Sequence, residues 1–582
     1  MISYLKYLGR YWWQVVLLLL ALFAQVWSSL QLPNMMSNIV NQGIVAGDQD
    51  FIYSEGLLML GVTAIGAVAT LIAGFFAARI GAQIAAKVRQ DIFAKVVSFS
   101  PNEINKFSTS SLITRSTNDI NQVQQVTILV LRMSLMAPIM GIGAVMMAFQ
   151  TAADMAWLIA LAVGVLLAVI LVLMVLALPK FKLLQTLTDK LNQVARENLT
   201  GLRVVRAFNN EAYEEQKFEA VNADTYKTNL FVFRVMITLF PVVQLIFNAT
   251  TLAVIWLGAS YIDSGAIEIG NLMAFMQYAM QVIMSFMFLA MAFVMVPRAM
   301  VSWRRINQVL QTKLSILPTA KAEKPAAGVR GEVEFRDVSF SYPGAEEPVL
   351  RNISFKARAG QTVAFIGSTG SGKSTLVNLI PRFYDTTSGQ VLVDGVDVRQ
   401  MAESDLVDRI GFVPQKGVLF SGTVKSNVAY GLKKADARQI QKAIRTAQAY
   451  EFVHKLPKGV DSEIAQGGSN VSGGQKQRLS IARAIAKNPE IYVFDDSFSA
   501  LDFRTDRNLR AALKKETGAA TVLIVAQRIG TIKQADKVIV LDNGRIVGEG
   551  RHRDLIRECR VYQEIAKSQL SADEYRAEVE NG

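Results

Sequence analysis

Apolar residues are unevenly spread along this chain. Up to about residue 301 they form six runs, at 12–32, 56–78, 126–149, 155–178, 236–261 and 271–296. Each is long enough to cross a bilayer as a helix, for which about twenty apolar residues suffice. The first run is too long for a signal peptide and no small-residue cleavage site follows it, so it reads as a retained span. After a stretch with Pro318, Pro325 and scattered alanines the pattern changes. Val333, Phe335, Val338 and Phe340 alternate with polar residues as in an antiparallel strand, and 362–366 is a short, fully apolar strand. The pattern predicts a six-helix membrane domain at 1–310, a linker at 311–330, a soluble α/β domain at 331–570 and an acidic tail at 571–582. The tail is expected to be solvated and disordered.

The polar positions between the runs set the orientation. Residues 33–55, 150–154 and 262–270 contain no Lys or Arg, whereas 79–125 and 180–234 are rich in both. By the positive-inside rule the N-terminus, the two long loops and everything after residue 298 are cytosolic, in a multi-pass protein of the cell membrane. Both long loops mix charged and apolar residues at helical spacing, as though helices two to five continued past the membrane. Each has a short polar break, at 98–111 and 204–214, where a small element is expected to dock on a cytosolic domain. The alternative is a plain helix–turn–helix connection.

Composition adds exclusions. The 582 residues exceed one domain, and a mean hydropathy of +0.28 rules out a soluble protein. A net charge of +13 comes from basic residues clustered at the ends of the apolar runs, which fits a cytosolic membrane face and not a nucleic-acid groove. One cysteine, Cys559, excludes an internal disulfide framework and reads as an inert thiol.

The chemistry lies in the second half. The strand at 362–366 runs into Gly367, Ser368, Thr369, Gly370, Ser371, Gly372, Lys373, Ser374 and Thr375, which satisfies G-x-x-x-x-G-K-[ST]. Glycines let successive N–H groups curl around a β-phosphate, Lys373 supplies charge for the β- and γ-oxygens, and the Ser374 hydroxyl can ligate Mg²⁺. Further elements follow in order: Tyr342 ahead of the loop, Gln415 after a strand at 410–413, Val471-Ser472-Gly473-Gly474-Gln475, and an apolar strand ending at Asp495.

Taken together these motifs resemble an ATP-binding cassette (ABC) exporter half-transporter, and the likeness covers essentially the full length. The resemblance implies the type IV exporter architecture: a helical transmembrane domain of six spans, extended into the cytosol and fused to an α/β P-loop nucleotide-binding domain. It implies that Tyr342 stacks on adenine, that Gln415 contacts Mg²⁺ and the attacking water, and that Asp495 holds Mg²⁺. Ser472, Gly473, Gly474 and Gln475 would clamp ATP bound to the opposite cassette, and Asp502 would signal between the two sites.

Two departures sharpen the reading. Where such an ATPase carries Glu as general base, this chain has Asp496, whose carboxylate sits back by about one C–C bond, on the order of 1.5 Å. About thirty residues on, where a histidine would approach the γ-phosphate, stands Gln527, which can donate a hydrogen bond but cannot become cationic. The chain's two histidines, His454 and His552, lie elsewhere. A misplacement of about 1 Å can cost on the order of a hundredfold in rate. The chain thus keeps the signature its partner needs and loses what its own site needs. That pattern resembles the degenerate-site subunit of bacterial heterodimeric multidrug exporters of the LmrC/LmrD and EfrC/EfrD kind. It implies a second, unequal half-transporter as partner. The alternatives are a homodimeric lipid or drug exporter with Asp496 as a working base, and an ATP-gated channel or regulatory subunit.

Substrate clues are fewer. Met273, Met276, Met280, Met284, Met287, Met291 and Met295 recur every three or four residues and drift by only about 40° around a helix, so they form one stripe. Methionine suits surfaces that accommodate many shapes, although such a stripe equally packs on a neighbouring helix. Gln277, Gln281 and Ser285 make a polar line on another face. No acidic residue lies deep in a span, which argues against a proton relay, and Arg132 and Arg234 fall near cytosolic ends. A hydrophobic or amphipathic substrate, cationic ones included, fits by analogy.

Overall fold

The computed structural model describes residues 2–581 apart from 320, 327 and 435. Its contacts divide the chain into two units, Met1–Val97 with Thr109–Thr312 and Ser98–Ser108 with Lys313–Gly582. In the first, six helical stretches are long and apolar enough to cross a membrane: Trp12–Ile44, Gln49–Val97, Thr109–Thr151, Ala153–Thr200, Glu211–Asp263 and Ile269–Leu310. The four middle ones run 43 to 53 residues, about twice what a bilayer core needs, so the apolar runs continue as charged helix at their far ends. Arg132 lies within a π-helical stretch, Val130–Ser134, inside the third helix.

The expected loop at 33–55 is mostly helical, which corrects the sequence reading. The first helix continues through Pro33 to Asn38, a π-helical turn follows at Ile39–Ile44, and the next helix starts at Gln49. The polar residues that resemble a loop are satisfied from the start of the sixth helix. The Ser37 hydroxyl donates to Asn271 Oδ1 at 2.7 Å, Asn41 donates to Glu268 at 2.6 Å, and the Gly270 N–H donates to Asn41 Oδ1 at 2.7 Å. Polar side chains with partners on a neighbouring helix are compatible with helix, whereas sequence alone displays only their polarity.

Both polar breaks carry a short helix. Pro101–Phe107 begins with a capping box in which Ser100 caps and Glu103 returns the bond. Leu202–Ala207 fills the second break. Residues 98–108 group with the second unit, where Ser315 donates its N–H to Glu103 at 2.9 Å and its hydroxyl meets that of Ser100 at 2.9 Å.

The second unit is built on a six-stranded sheet. In spatial order its strands are Arg545–Gly550, Lys537–Asp542, Thr362–Gly367, Thr521–Val525, Ile491–Asp495 and Ile410–Val413. All neighbours are parallel except the edge strand Arg545–Gly550. A parallel sheet is buried on both faces, which is why these strands read as unbroken apolar runs. Phe365, Val493 and Leu523 lie in a core against one face, and Ala364, Phe494 and Ile524 in a core against the other. A smaller antiparallel sheet is formed by Val333–Phe340 between Leu350–Ala357 and Ser388–Val393, next to the short Val396–Asp397.

The acidic tail is not a disordered extension. Ala572–Asn581 is a helix whose Tyr575 and Val579 pack against the larger core. Glu578 accepts from Lys533 at 3.0 Å and lies 3.3 Å from His552 Nε2. Glu578 has partners and Tyr575 and Val579 have a core, neither of which composition reveals.

Candidate functional site

Strand order assembles the site. The strands ending at Gly367, Val525, Asp495 and Val413 are consecutive neighbours with parallel register, Phe365 opposite Val525 and Val525 opposite Asp495. Whatever follows each strand therefore emerges along one edge: the phosphate-type loop, then Gln527, then Asp496, then Gln415. In open parallel sheets this carboxyl edge is where ligands bind. Here it holds a cavity of about 350 Å³ lined by residues including Thr369, Gly370, Gly372, Lys373, Ser374, Thr375, Gln415, Asp496 and Gln527.

The loop's glycines are required by geometry at two points. Gly372 has φ +95, and a Cβ there would meet the Leu350 side chain at 2.7 Å. A Cβ on Gly367 would collide with the Leu541 carbonyl oxygen. The Lys373 ammonium donates to the carbonyls of Gly367 at 2.9 Å and Ser368 at 2.7 Å, and to Ser371 Oγ at 3.3 Å. Burial pulls its pKa down, opposed by the charges of Asp496 and Asp495. The Ser374 hydroxyl donates to Asp495 Oδ1 at 2.7 Å. Burial pushes the Asp495 carboxyl up; the Ser374 bond and Lys373 oppose that, and the charge of Asp496 adds to it.

Asp496 sits in left-handed backbone, φ +45, a conformation that Asp tolerates better than most residues. It is held there by its N–H to the Val525 carbonyl at 3.0 Å and by its own carbonyl, which accepts from Ser499 Oγ at 2.8 Å. Its Oδ2 accepts from two carboxamides, Gln527 Nε2 at 2.8 Å and Gln415 Nε2 at 3.3 Å. Burial raises its pKa, and the bonds from Gln415 and Gln527 with the Lys373 charge work against that rise.

Tyr342 lies beside the loop. Its hydroxyl and that of Thr375 are 3.0 Å apart, and its ring stands edge-on to Phe340 and Tyr384. The signature residues are elsewhere. Ser472 caps the helix Gly473–Lys487 in a capping box with Gln475, and none of residues 472–475 lines the cavity. A helix N-terminus opened by two glycines, one with nothing within 4 Å of where its Cβ would be, leaves N–H groups accessible to an external anion. Asp502 caps the helix Phe503–Glu516, accepting from the Thr505 N–H at 3.0 Å.

Two supporting residues carry no motif. Ser499 fixes the Asp496 carbonyl, as above. Gln569 donates to the Gln527 carbonyl at 2.6 Å and accepts from the Ile529 N–H at 2.9 Å, so one side chain grips the backbone on both sides of Arg528. Ser499 stands three residues before Asp502, whereas nothing around Gln569 distinguishes it in sequence.

Among the described residues no group of three or more His, Cys, Asp or Glu could hold a metal alone. The adjacent oxygens of Ser374 and Asp495, with Gln415 on the same cavity, suit a hard cation such as Mg²⁺. That ion takes few protein ligands and shares phosphate oxygens.

The family model described as ABC transporter transmembrane region matches residues 15–286, and the ABC transporter model matches 350–499. A curated relative from Mycobacterium tuberculosis, an uncharacterized ABC transporter ATP-binding protein, is 42% identical over 562 residues, 96% of each chain. The ATP-dependent lipid A-core flippase of Thiobacillus denitrificans is 30% identical over 97% of this chain and 98% of its own. A bacterial Atm1-family ABC exporter with ATP bound superposes with a TM-score of 0.79 at 24% identity, covering 97% and 99% of the two chains. The fold is that of six helical spans joined to a nucleotide-binding domain.

Proposed function

This chain belongs to the ABC transporter family, and we propose that it works as the degenerate-site half of a heterodimeric exporter of hydrophobic or amphipathic compounds. In this reading residues 1–310 form the membrane domain, 311–330 the linker, and 331–570 the cytosolic ATP-binding domain, followed by the acidic tail at 571–582. A second, unequal half-transporter supplies the active base and histidine, and this chain lends it the signature at 472–475.

The observation that carries the reading is the double engagement of Asp496 Oδ2 by Gln415 and Gln527. A general base must accept a proton from water within hydrogen-bond reach. Here one carboxylate oxygen is occupied by two donors, and the side chain is one methylene short. Gln527 brings no positive charge toward the phosphate oxygens. The binding apparatus is whole: Lys373 and the loop N–H groups for phosphates, Tyr342 for the base, and Ser374, Asp495 and Gln415 for Mg²⁺. When bound, Mg²⁺ would neutralise phosphate charge. ATP is thus held for long periods at this site while turnover proceeds at the other.

A second reading has its own support. The relatives named lipid A-core flippase, together with the carboxylate kept at Asp496, favour a homodimeric lipid exporter that hydrolyses ATP at two equal sites.

ATP turnover in lipid bilayers separates the two. Negligible turnover by the chain alone, with strong turnover beside a partner half-transporter that survives Asp496→Asn, is expected. Robust turnover by the chain alone that Asp496→Asn abolishes would give the second reading.

A further inference from the structure

A second cavity, of about 470 Å³, lies within the membrane unit between the third and sixth long helices. Its wall carries Asn121, Gln122 and Gln125 on the third helix, and Met295 and Arg298 one turn apart on the sixth. It sits where the apolar runs at 126–149 and 271–296 meet charged helix, so its two ends differ in chemistry. From the apolar runs Val126, Leu129 and Met295 line it.

The polar end is biased toward hydrogen-bond donors. No acidic side chain lines it. Arg298 has no described hydrogen bond or ion pair; its guanidinium lies 5.8 Å from the Phe181 ring. Asn121 Oδ1 accepts from Arg89 Nη2 at 2.6 Å. Arginine has no acceptor, so that bond fixes the amide and leaves the Asn121 NH₂ as a donor. The one acid in the neighbouring sequence, Asp119, is buried and already engaged: Oδ1 accepts from Ser302 at 3.0 Å and Oδ2 lies 3.3 Å from Arg305 Nε. An uncompensated guanidinium beside an oriented amide donor suits an oxyanion. A cation would meet Arg298 and no carboxylate on the cavity wall.

We propose that this cavity binds the anionic headgroup, phosphate or carboxylate, of an amphiphile whose hydrocarbon lies along the apolar runs. The inference deepens the exporter reading and rests on it only for the step of transport. It also narrows the substrate class away from cations.

The test is equilibrium binding of dodecyl phosphate to the full chain in dodecyl maltoside micelles, with dodecyltrimethylammonium as comparator. Saturable binding of the phosphate alone is expected, weakened about tenfold or more by Arg298→Gln and partly retained by Arg298→Lys. Unchanged binding of a fluorescent ATP analogue by Arg298→Gln checks the fold. Equal binding of the ammonium amphiphile, or unaltered phosphate binding by Arg298→Gln, would overturn the proposal. Nanodiscs with and without phosphatidylglycerol tell the sources of the anion apart. Competition assigns the site to a bilayer lipid, and lack of it to a solute; both outcomes keep the anion site. ATP turnover takes no part in the measurement, so failure of the heterodimer reading leaves this result standing, and the reverse holds too.

Discussion

The carboxamide of Gln527 donates to Asp496 Oδ2 across 2.8 Å, so the two residues at which this chain departs from the exporter pattern bind each other. The two departures from the exporter pattern are one interaction. A neutral amide that ties down a carboxylate stabilises its charge but takes a lone pair that an attacking water would use.

Restoring both members together follows from this. Asp496→Glu with Gln527→His extends the carboxylate by a methylene and puts a titratable ring at the phosphate. In the proposed heterodimer, with the partner's base silenced, ATP turnover should rise by about a hundredfold over the parent chain. Asp496→Glu alone should give less, because Gln527 would still hold the carboxylate. Equal turnover in the parent and the double variant would show that Asp496 is already an adequate base.

Tyr342 separates ring from hydroxyl. Base–aromatic stacking is worth about 1–3 kcal/mol per base, whereas a neutral hydrogen bond such as that to Thr375 is worth roughly 1 kcal/mol. Tyr342→Ala should therefore weaken ATP binding about tenfold or more, and Tyr342→Phe by no more than a few fold, as read by titration with a fluorescent nucleotide. Similar losses in both variants would mean that the hydroxyl, and not the ring face, holds the nucleotide.

Glu103 predicts an acid-sensitive cap. Burial pushes its carboxyl up, but bonds from Ser100 and Ser315 outweigh this and hold it below the ordinary carboxylate range. A depressed folded value gives stability that is full above the unfolded value, about 4.3. That stability is lost as pH falls through the lower folded value. Protection of the Ser315 amide against hydrogen exchange, corrected for the intrinsic rate, should fall on acidification below about pH 4.3. In Glu103→Gln it should be weak and flat with pH. Constant protection of the parent chain between pH 6 and pH 3 would contradict the assignment.

Much of this arrangement is legible in sequence because period and spacing encode it. Phe365 and Val493 stand in short apolar runs that the sequence shows as strands, whereas the strand order that sets Gly367, Gln527, Asp496 and Gln415 along one edge is not the order along the chain and is seen only in the structure. What escapes the sequence depends on partners distant along the chain. Asn41 looks like a loop residue until Glu268 and Gly270 are beside it, and the acidic tail looks solvated until Lys533 and the core receive Glu578 and Tyr575. The methionine stripe is mixed: Met280 and Met291 are exposed and Met276 and Met287 pack inward, so a single chain does not present it as one face.

Gln569 is the clearest residue without a sequence signal, and it makes the last prediction. Its side chain receives the Ile529 N–H and donates to the Gln527 carbonyl, from the end of the helix Arg560–Gln569. The backbone that carries Gln527 is thus pinned from the C-terminal helices. Gln569→Ala removes two neutral bonds, each worth about 1 kcal/mol, so exchange at the Ile529 amide should quicken by about tenfold while the central sheet stays protected. Gln569→Glu keeps an acceptor for Ile529 and loses the donor to Gln527. It should protect Ile529 but leave the Gln527 carbonyl facing a like-charged oxygen, and the Gln527–Asp496 contact should loosen. If Gln569→Ala leaves Ile529 exchange unchanged, the loop is held by its own helix, Ile529–Ile532, and the C-terminal helices have no part in placing Gln527.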